Sequence, residues 1–492
     1  MVNFKTNRAQ TFIIIITFIF ILSLRLLYIT NSPLEYHAWR QSDTEAIARN
    51  FASNSLNIFL PQLNYDGPLP NYVQLELQLT TFIIALLYKA FGYHYALARL
   101  VPLLFFMGSA YYLFILAKSM YDLKTALYAV VLYGILPINI FFSRAIMPES
   151  AAMFFYIGSF FYFSEWIKLE APHHFLLASI FTALAITQKI PAIFICFPML
   201  YLAIKKHNAL QRYHAVHKYI AVRNYKTVSF GKLLFIFVLI SCGLPLLYFG
   251  YLHIIAETDY VSGIALELIL PNFATAIFTA EAQAFLRVFF YRLFTPYSII
   301  LLLGGIYTIH FPRDSALLIW TLAIAVEIAT IAAVIKLEYY LIFFSPIIAL
   351  WGAKSFDFLN KKRAGSVIMV VICTLLFYTG WQNISPYYGE DTELAYQVKI
   401  IEQNTRTDHL LVIGSSVPIL LNLSHRQGYR AIPGTFSSPE QELRFYIENG
   451  AKYFFPADEF FLNKAYESYR IFLDANYRRI ATDSNYFFYE LY

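Results

Sequence analysis

Two carboxylates in short hydrophilic segments are the residues of this chain best suited to chemistry. The first, Asp43, lies in Glu35-Tyr36-His37-Ala38-Trp39-Arg40-Gln41-Ser42-Asp43-Thr44-Glu45. Residues 44–51 have helical composition, which predicts Asp43 at or near a helix N-terminus. A helix dipole there lowers a carboxylate pKa. The group is then ionised at neutral pH and can take a proton from a hydroxyl. The same position also suits a plain cap, so cap and catalyst both stay open on these residues alone. The second carboxylate, Glu149, sits in Ser143-Arg144-Ala145-Ile146-Met147-Pro148-Glu149-Ser150. Pro148 is expected at the first helical position and Glu149 in the first turn, where simple complementation of the dipole also accounts for an acid. A third acid, Glu76, precedes the apolar run 78–91.

Cations accompany these acids. Arg40 shares the first segment. Lys189 lies in Thr187-Gln188-Lys189-Ile190-Pro191, Lys336 in Lys336-Leu337-Glu338-Tyr339-Tyr340, and Arg287 and Arg292 flank the start of an apolar run. A single lysine at a helix end simply snorkels to the membrane interface. Several cations and acids gathered on one face suit an anionic lipid headgroup. Phosphate-cradling Gly-rich turns, a GxxxxGK[ST] loop and an HExxH helix are all absent, which argues against ATP hydrolysis and zinc peptidase chemistry. No Rossmann half-domain is evident on the inner side, and no nucleic-acid partner is expected.

The elements that position these residues are membrane helices. Of 492 residues, 59% are hydrophobic and only 14% charged, against about 25% charged in an ordinary soluble domain. About eleven runs are long enough, or nearly so, to span a bilayer: 11–29, 100–118, 124–142, 151–167, 174–188, 190–204, 233–252, 293–310, 315–335, 338–354 and 366–382. The first follows Lys5 and Arg8 and lacks a small-residue cleavage site, so it reads as a retained anchor. The run 78–91 is short, and its amphipathic start suits a helix lying at the outer interface. With it left out of the count, basic clusters fall on one side: Lys5 and Arg8, Lys118–Lys124, the Lys168 loop, the stretch 205–232, the Arg313 turn and Lys361-Lys362-Arg363. The expectation is a multi-pass protein of the cell (inner) membrane, with a cytoplasmic N-terminus and a periplasmic or extracellular C-terminus. The net charge of +6 is read by position rather than as a sum. Cys196, Cys242 and Cys373 each sit in an apolar run as packing residues.

Composition divides the chain into a membrane part, 1–385, with a long outer loop at about 30–99, and a tail, 386–492. In the tail, 408–416 reads as a buried strand, 438–450 as a helix with a Ser N-cap and a Gly stop, and 451–458 and 484–492 as strands. The fold class is therefore mainly α, a polytopic membrane protein with a small C-terminal α/β extracytoplasmic domain.

These motifs resemble the polyprenyl-phosphate-sugar glycosyltransferases of the membrane-embedded C-type fold, namely the protein O-mannosyltransferase and lipid A aminoarabinose transferase families. The resemblance rests on WRQSDTEAIARNF (39–51), on YVQLEL with FGYHYALARL (91–100), on SRAIMPES (143–150) and on LEYYLIFFSPIIAL (337–350). It covers about 1–385. It implies an inverting transfer of a sugar from a polyprenyl-phosphate donor to a hydroxyl of a protein, lipid or envelope glycan. Asp43 matches the acid treated as the base, and Glu149 an acidic position where relatives often have Asp. The aminoarabinose relatives carry a Lys-Pro-Pro segment after the acid equivalent to Glu76. Here Leu77-Gln78-Leu79 follows, so Lys189, Lys336, Arg287 or Arg292 must serve the donor phosphate. Arg40, Glu76, Tyr339 and Tyr340 are further substrate-binding candidates. No cofactor is expected, although a divalent metal shared by Asp43 and Glu149 stays open. The alternative is a lipid-linked glycan transporter or flippase, and a noncatalytic scaffold comes after it. Asn383 and Asn422 each open an N-x-Ser match of the kind that arises by accident.

Overall fold

The computed structural model describes residues 7–216, 224–482 and 486–491. Lys5 and residues 217–223 of the basic stretch, both used above to orient the chain, lie outside the described residues. Contacts divide the chain into two compact units. One takes residues 1–29, 99–251 and 260–386, and the other 30–98, 252–259 and 387–492. The loop after the first apolar run thus belongs to the same unit as the tail.

The first unit is helical and membrane-embedded. Among the described residues seven helices are long and apolar enough to cross a bilayer: α4 (Tyr95–Met120), Ile190–Gln211, Phe230–Ile255, Ala280–Tyr307, Ser315–Ile335, Glu338–Asn360 and Gly365–Asn404. The other expected runs are also helical, but α1 (Arg8–Ser23) and α5 (Leu123–Ile135) fall short of a full span. Helices that are apolar all round must meet lipid or other helices, not water. Phe230–Ile255 turns Leu246 and Leu247 outward, whereas Glu338–Asn360 buries Leu350 and Trp351 completely. Gly305 lets two of these helices approach closely, since a Cβ there would lie 2.0 Å from the Trp351 carbonyl oxygen.

The expected span 124–142 is corrected to two helices, α5 and α6 (Pro137–Phe142), broken at Leu136. Pro137 has no N–H to give the carbonyl four residues back. Asn139 Nδ2 caps that carbonyl, Tyr133 O, at 2.8 Å. Arg25, fully buried, takes Gly134 O at 2.7 Å and Ser143 Oγ at 3.0 Å, and its guanidinium lies 4.1 Å from the centroid of the Phe106 ring. A buried arginine is tolerable because backbone carbonyls, Ile21 O at 2.9 Å among them, and a hydroxyl accept its N–H groups. The break leads into the turn 143–148 and then α7 (Glu149–Leu169).

The second unit contains α2 (Ala38–Ser53), α3 (Leu79–Phe91), a short parallel pair of β1 (Val73–Gln74) and β2 (Thr258–Asp259), and the tail. The run 78–91 is helical as expected. Glu45 fastens α2 to α3: it accepts from Arg49 Nε at 2.6 Å and from Tyr88 Oη at 3.0 Å. The tail has a five-stranded sheet of β3 (Leu410–Ile413), β4 (Gln427–Arg430), β5 (Ala451–Phe455), β6 (Arg478–Ala481) and β7 (Phe487–Glu490), in the order β4-β3-β5-β7-β6. The first three strands run parallel, and the pairings of β7 are antiparallel. The expected helix is Pro439–Glu448, with Ser438 accepting from Gln441 N at 3.2 Å. Strands β4 and β6 escaped the sequence reading. Gly428 permits β4 to lie against β3, where a Cβ would sit 1.8 Å from Leu411 O. The edge of β4 is covered by the loop, with Gly428 N donating to Asn64 O and Gly67 N to Gly428 O.

Candidate active site

In the second unit the site gathers around Asp43. The expectation of a helix-terminal Asp43 is corrected. Helix α2 begins at Ala38 after His37 in the left-handed region, so Asp43 lies in the helix interior and caps nothing. Its environment also reverses the expected pKa. Asp43 is buried, and burial pushes its carboxyl up to about 6, opposed by the Arg40 charge, a hydrogen bond from Asn422, the Arg430 charge and Tyr65. Asn422 Nδ2 donates to Oδ1 at 2.7 Å, and Tyr65 Oη lies 3.4 Å from Oδ2. Arg40, one turn back on the same face, is ion-paired with Glu76, so these two candidates are brought together.

The tail supplies more than the sequence suggested. Arg430, at the end of β4, grips Asp66 through Nε at 3.0 Å and Nη2 at 2.5 Å. Its guanidinium lies 4.6 Å from the Tyr65 ring centroid and 5.8 Å from that of Trp39. Asn422 stands on the short helix Ile419–Leu423 between β3 and β4. It is fully buried, so its Asn-Leu-Ser match is no surface acceptor in the folded chain. Asn422, Arg430, Tyr65 and Asp66 were all missed. Nothing local in the sequence marks them, because the fold alone brings residues near 65, 422 and 430 to residue 43.

In the first unit a different group forms. Glu149 is the first residue of α7, and Pro148 takes the cap position rather than the first helical one. Lys189 ends α8 (Pro172–Gln188) as its C-cap. Lys189 Nζ lies 2.7 Å from Glu149 Oε1, with the carboxylate fully buried. The ammonium also lies 4.4 Å and 4.2 Å from the ring centroids of Tyr339 and Tyr340, which stack on each other. Four sequence candidates therefore meet here. Glu327, which the sequence reading passed over inside an apolar run, is fully buried, and neither of its carboxyl oxygens has a hydrogen-bond partner among the described residues. The nearby charge acting on it is Lys189.

The remaining cations lie elsewhere. Lys336 pairs with exposed Glu281 at 2.7 Å. Arg287 and Arg292 are exposed on the helix Ala280–Tyr307, Arg292 beside the Phe289 ring. Among the described residues no group of three or more His, Cys, Asp or Glu side chains is placed to hold a metal ion. The three cysteines are free and partly buried.

The family model of dolichyl-phosphate-mannose-protein mannosyltransferases matches residues 63–261. That stretch includes Glu76, Glu149 and Lys189 but not Asp43 or the tail. No curated protein matches the chain. Solved structures do. ArnT from Cupriavidus metallidurans bound to undecaprenyl phosphate is 9% identical, with a TM-score of 0.64 over 97% of this chain and 98% of its own. The oligosaccharyltransferase AglB from Archaeoglobus fulgidus, in complex with an inhibitory peptide and a dolichol-phosphate, is 12% identical, with a TM-score of 0.59 over 99% of this chain and 74% of its own. The chain has the C-type glycosyltransferase fold. Fold and family match together indicate glycosyltransferase activity. The recognition drawn from the motifs is thereby met.

Proposed function

We propose that this protein transfers a sugar from a polyprenyl-phosphate donor to a hydroxyl acceptor, with inversion, on the outer face of the membrane. The observation that carries the reading is Asp43: a buried carboxylate, raised to about 6, held by an amide donor and flanked by two arginines. A base with a pKa near the working pH combines an ionised form with real proton affinity. In the reaction the acceptor oxygen bonds to the anomeric carbon as that carbon's bond to the phosphate oxygen breaks. The electron pair leaves with the lipid phosphate, and the acceptor proton passes to the Asp43 carboxylate. A single in-line displacement inverts the anomeric carbon. The departing phosphate gains charge that a fixed cation stabilises. In the first unit Lys189, anchored by Glu149 and two tyrosine faces, is a fixed cation suited to a lipid phosphate.

Supporting the donor class are the family match and the two neighbours solved with undecaprenyl phosphate and with a dolichol-phosphate. A lipid-linked glycan transporter is the second reading. It is favoured by the buried group of Glu149, Lys189 and Glu327, since intramembrane charges mark transport paths as well as catalytic ones. Transfer of labelled sugar from polyprenyl-phosphate donors, compared between wild type and Asp43→Asn, separates the two.

A further inference from the structure

We propose that Asn422 is a positioning residue for the reaction, so that the tail domain orients the carboxylate that takes the acceptor's proton. The inference rests on the reading of Asp43 as the base. Three observations carry it. The Asn422 amide approaches Asp43 Oδ1 at 2.7 Å, and Ser42 Oγ lies 3.3 Å from the same nitrogen. An ionised carboxylate only accepts, so the atom facing it must be the NH2 group. The side chain is fully buried on Ile419–Leu423, whose Leu420, Leu421 and Leu423 are also buried, which pins it against Asp43. Its carbonyl oxygen, Oδ1, has no partner among the described residues. An asparagine kept only for packing would bear that unmatched acceptor at a cost of about 1–3 kcal/mol.

The geometry gives the two carboxylate oxygens different tasks. Oδ1 is held by Asn422. Among the described residues Oδ2 has the long contact from Tyr65 at 3.4 Å alone, which leaves it the oxygen that receives the proton. The charged and titratable groups around Asp43 are Arg40 on its own helix, Arg430 from β4 and Tyr65 from the loop, with Arg40 and Arg430 already paired to Glu76 and Asp66. Helix α3, packed on α2, presents Tyr88, which is engaged by Glu45, and the exposed Lys89. Glu35 meets the same helix through Gln41 at 3.4 Å. Asn422 is the shorter of the two neutral donors to Asp43, 2.7 Å against 3.4 Å for Tyr65, so its removal changes Asp43 without altering the charge count.

The test is pH-difference infrared spectroscopy on the purified full chain in detergent. It reads the protonated-carboxyl band that disappears in Asp43→Asn. In Asn422→Leu the midpoint of that band moves to higher pH by about one unit, because a donor to the charged form is lost. Sugar transfer from a polyprenyl-phosphate donor falls at least tenfold in kcat with the donor KM unchanged. Thermal unfolding checks the fold, and Asn422→Ser, smaller and still polar, serves if the leucine variant does not fold. An unchanged midpoint in a folded variant, with Asp43→Asn inactive, overturns the role of Asn422 and leaves the base intact. Full activity of Asp43→Asn overturns the underlying reading instead.

Discussion

Asp43 shows how a residue's neighbours decide its chemistry. The sequence reading placed it at a helix start and misjudged its state, because the eight residues after it look like a helix start while the helix begins five residues earlier. The groups that set its proton affinity lie far along the chain. Its raised pKa has a consequence for stability. The folded carboxyl titrates near 6 and the ordinary value is 3.8. Between these values the folded state holds a proton that the unfolded state has lost. The contribution of this group is therefore fully present below about pH 4 and is lost as pH rises through about 6. Asp43→Asn, which cannot ionise, should unfold at higher temperature than wild type at pH 8, by an amount equivalent to as much as about 3 kcal/mol, with the difference vanishing near pH 4. Thermal melts in detergent at the two pH values check this. Equal gains at both would show that the carboxyl is not destabilised by burial.

At the level of elements, the important events are interruptions of regular helix. Pro137 ends α5, and the exposed carbonyls are answered by Asn139 and Arg25, which sets up the turn before Glu149. The end of α8 delivers Lys189 to it. The sequence showed the acid, the lysine and the two tyrosines as separate candidates, each with a bland explanation. Their convergence was not legible, since it depends on which helices are neighbours. The pair is a buried one, so removing one partner strands the other. Lys189→Met should cost about 3–5 kcal/mol of stability, and adding Glu149→Gln should restore most of it. A double-mutant cycle followed by thermal unfolding measures the coupling. If the single and double variants are equally impaired, the pair is not an energetic unit. Glu327 is the element-scale miss: an acid inside an apolar run that the run itself masked.

For the whole molecule, composition and hydropathy were sufficient to indicate a polytopic membrane protein with a small α/β tail, because burial in lipid demands long apolar helices of a kind no soluble domain needs. Each of the eleven runs is helical over most of its length, but the first ends at Ser23 and 124–142 is broken before Pro137. The motifs that carry the resemblance stop before residue 385, yet the tail shares a compact unit with the loop 30–98 and supplies Asn422 and Arg430. The reason is physical: a short helix between two parallel strands can face any partner, and its Asn bears no local signature. The proposed orientation places the tail outside. Alkaline phosphatase fused after residue 491 should then be active and the same reporter within the Lys361–Arg363 turn inactive. The opposite pattern would invert the topology and remove the outer face as the place of reaction.

The central claim is that Asp43 is the base for sugar transfer from a lipid phosphate. The most direct measurement is transfer of radiolabelled sugar by purified wild type and Asp43→Asn, supplied with polyprenyl-phosphate sugars across pH 5 to 8. The account predicts that wild-type activity rises with pH through about 6 and that the folded Asn variant loses at least 100-fold at every pH. Equal transfer by the two proteins, or no transfer by wild type alongside movement of the intact lipid-linked sugar across the membrane, would contradict it.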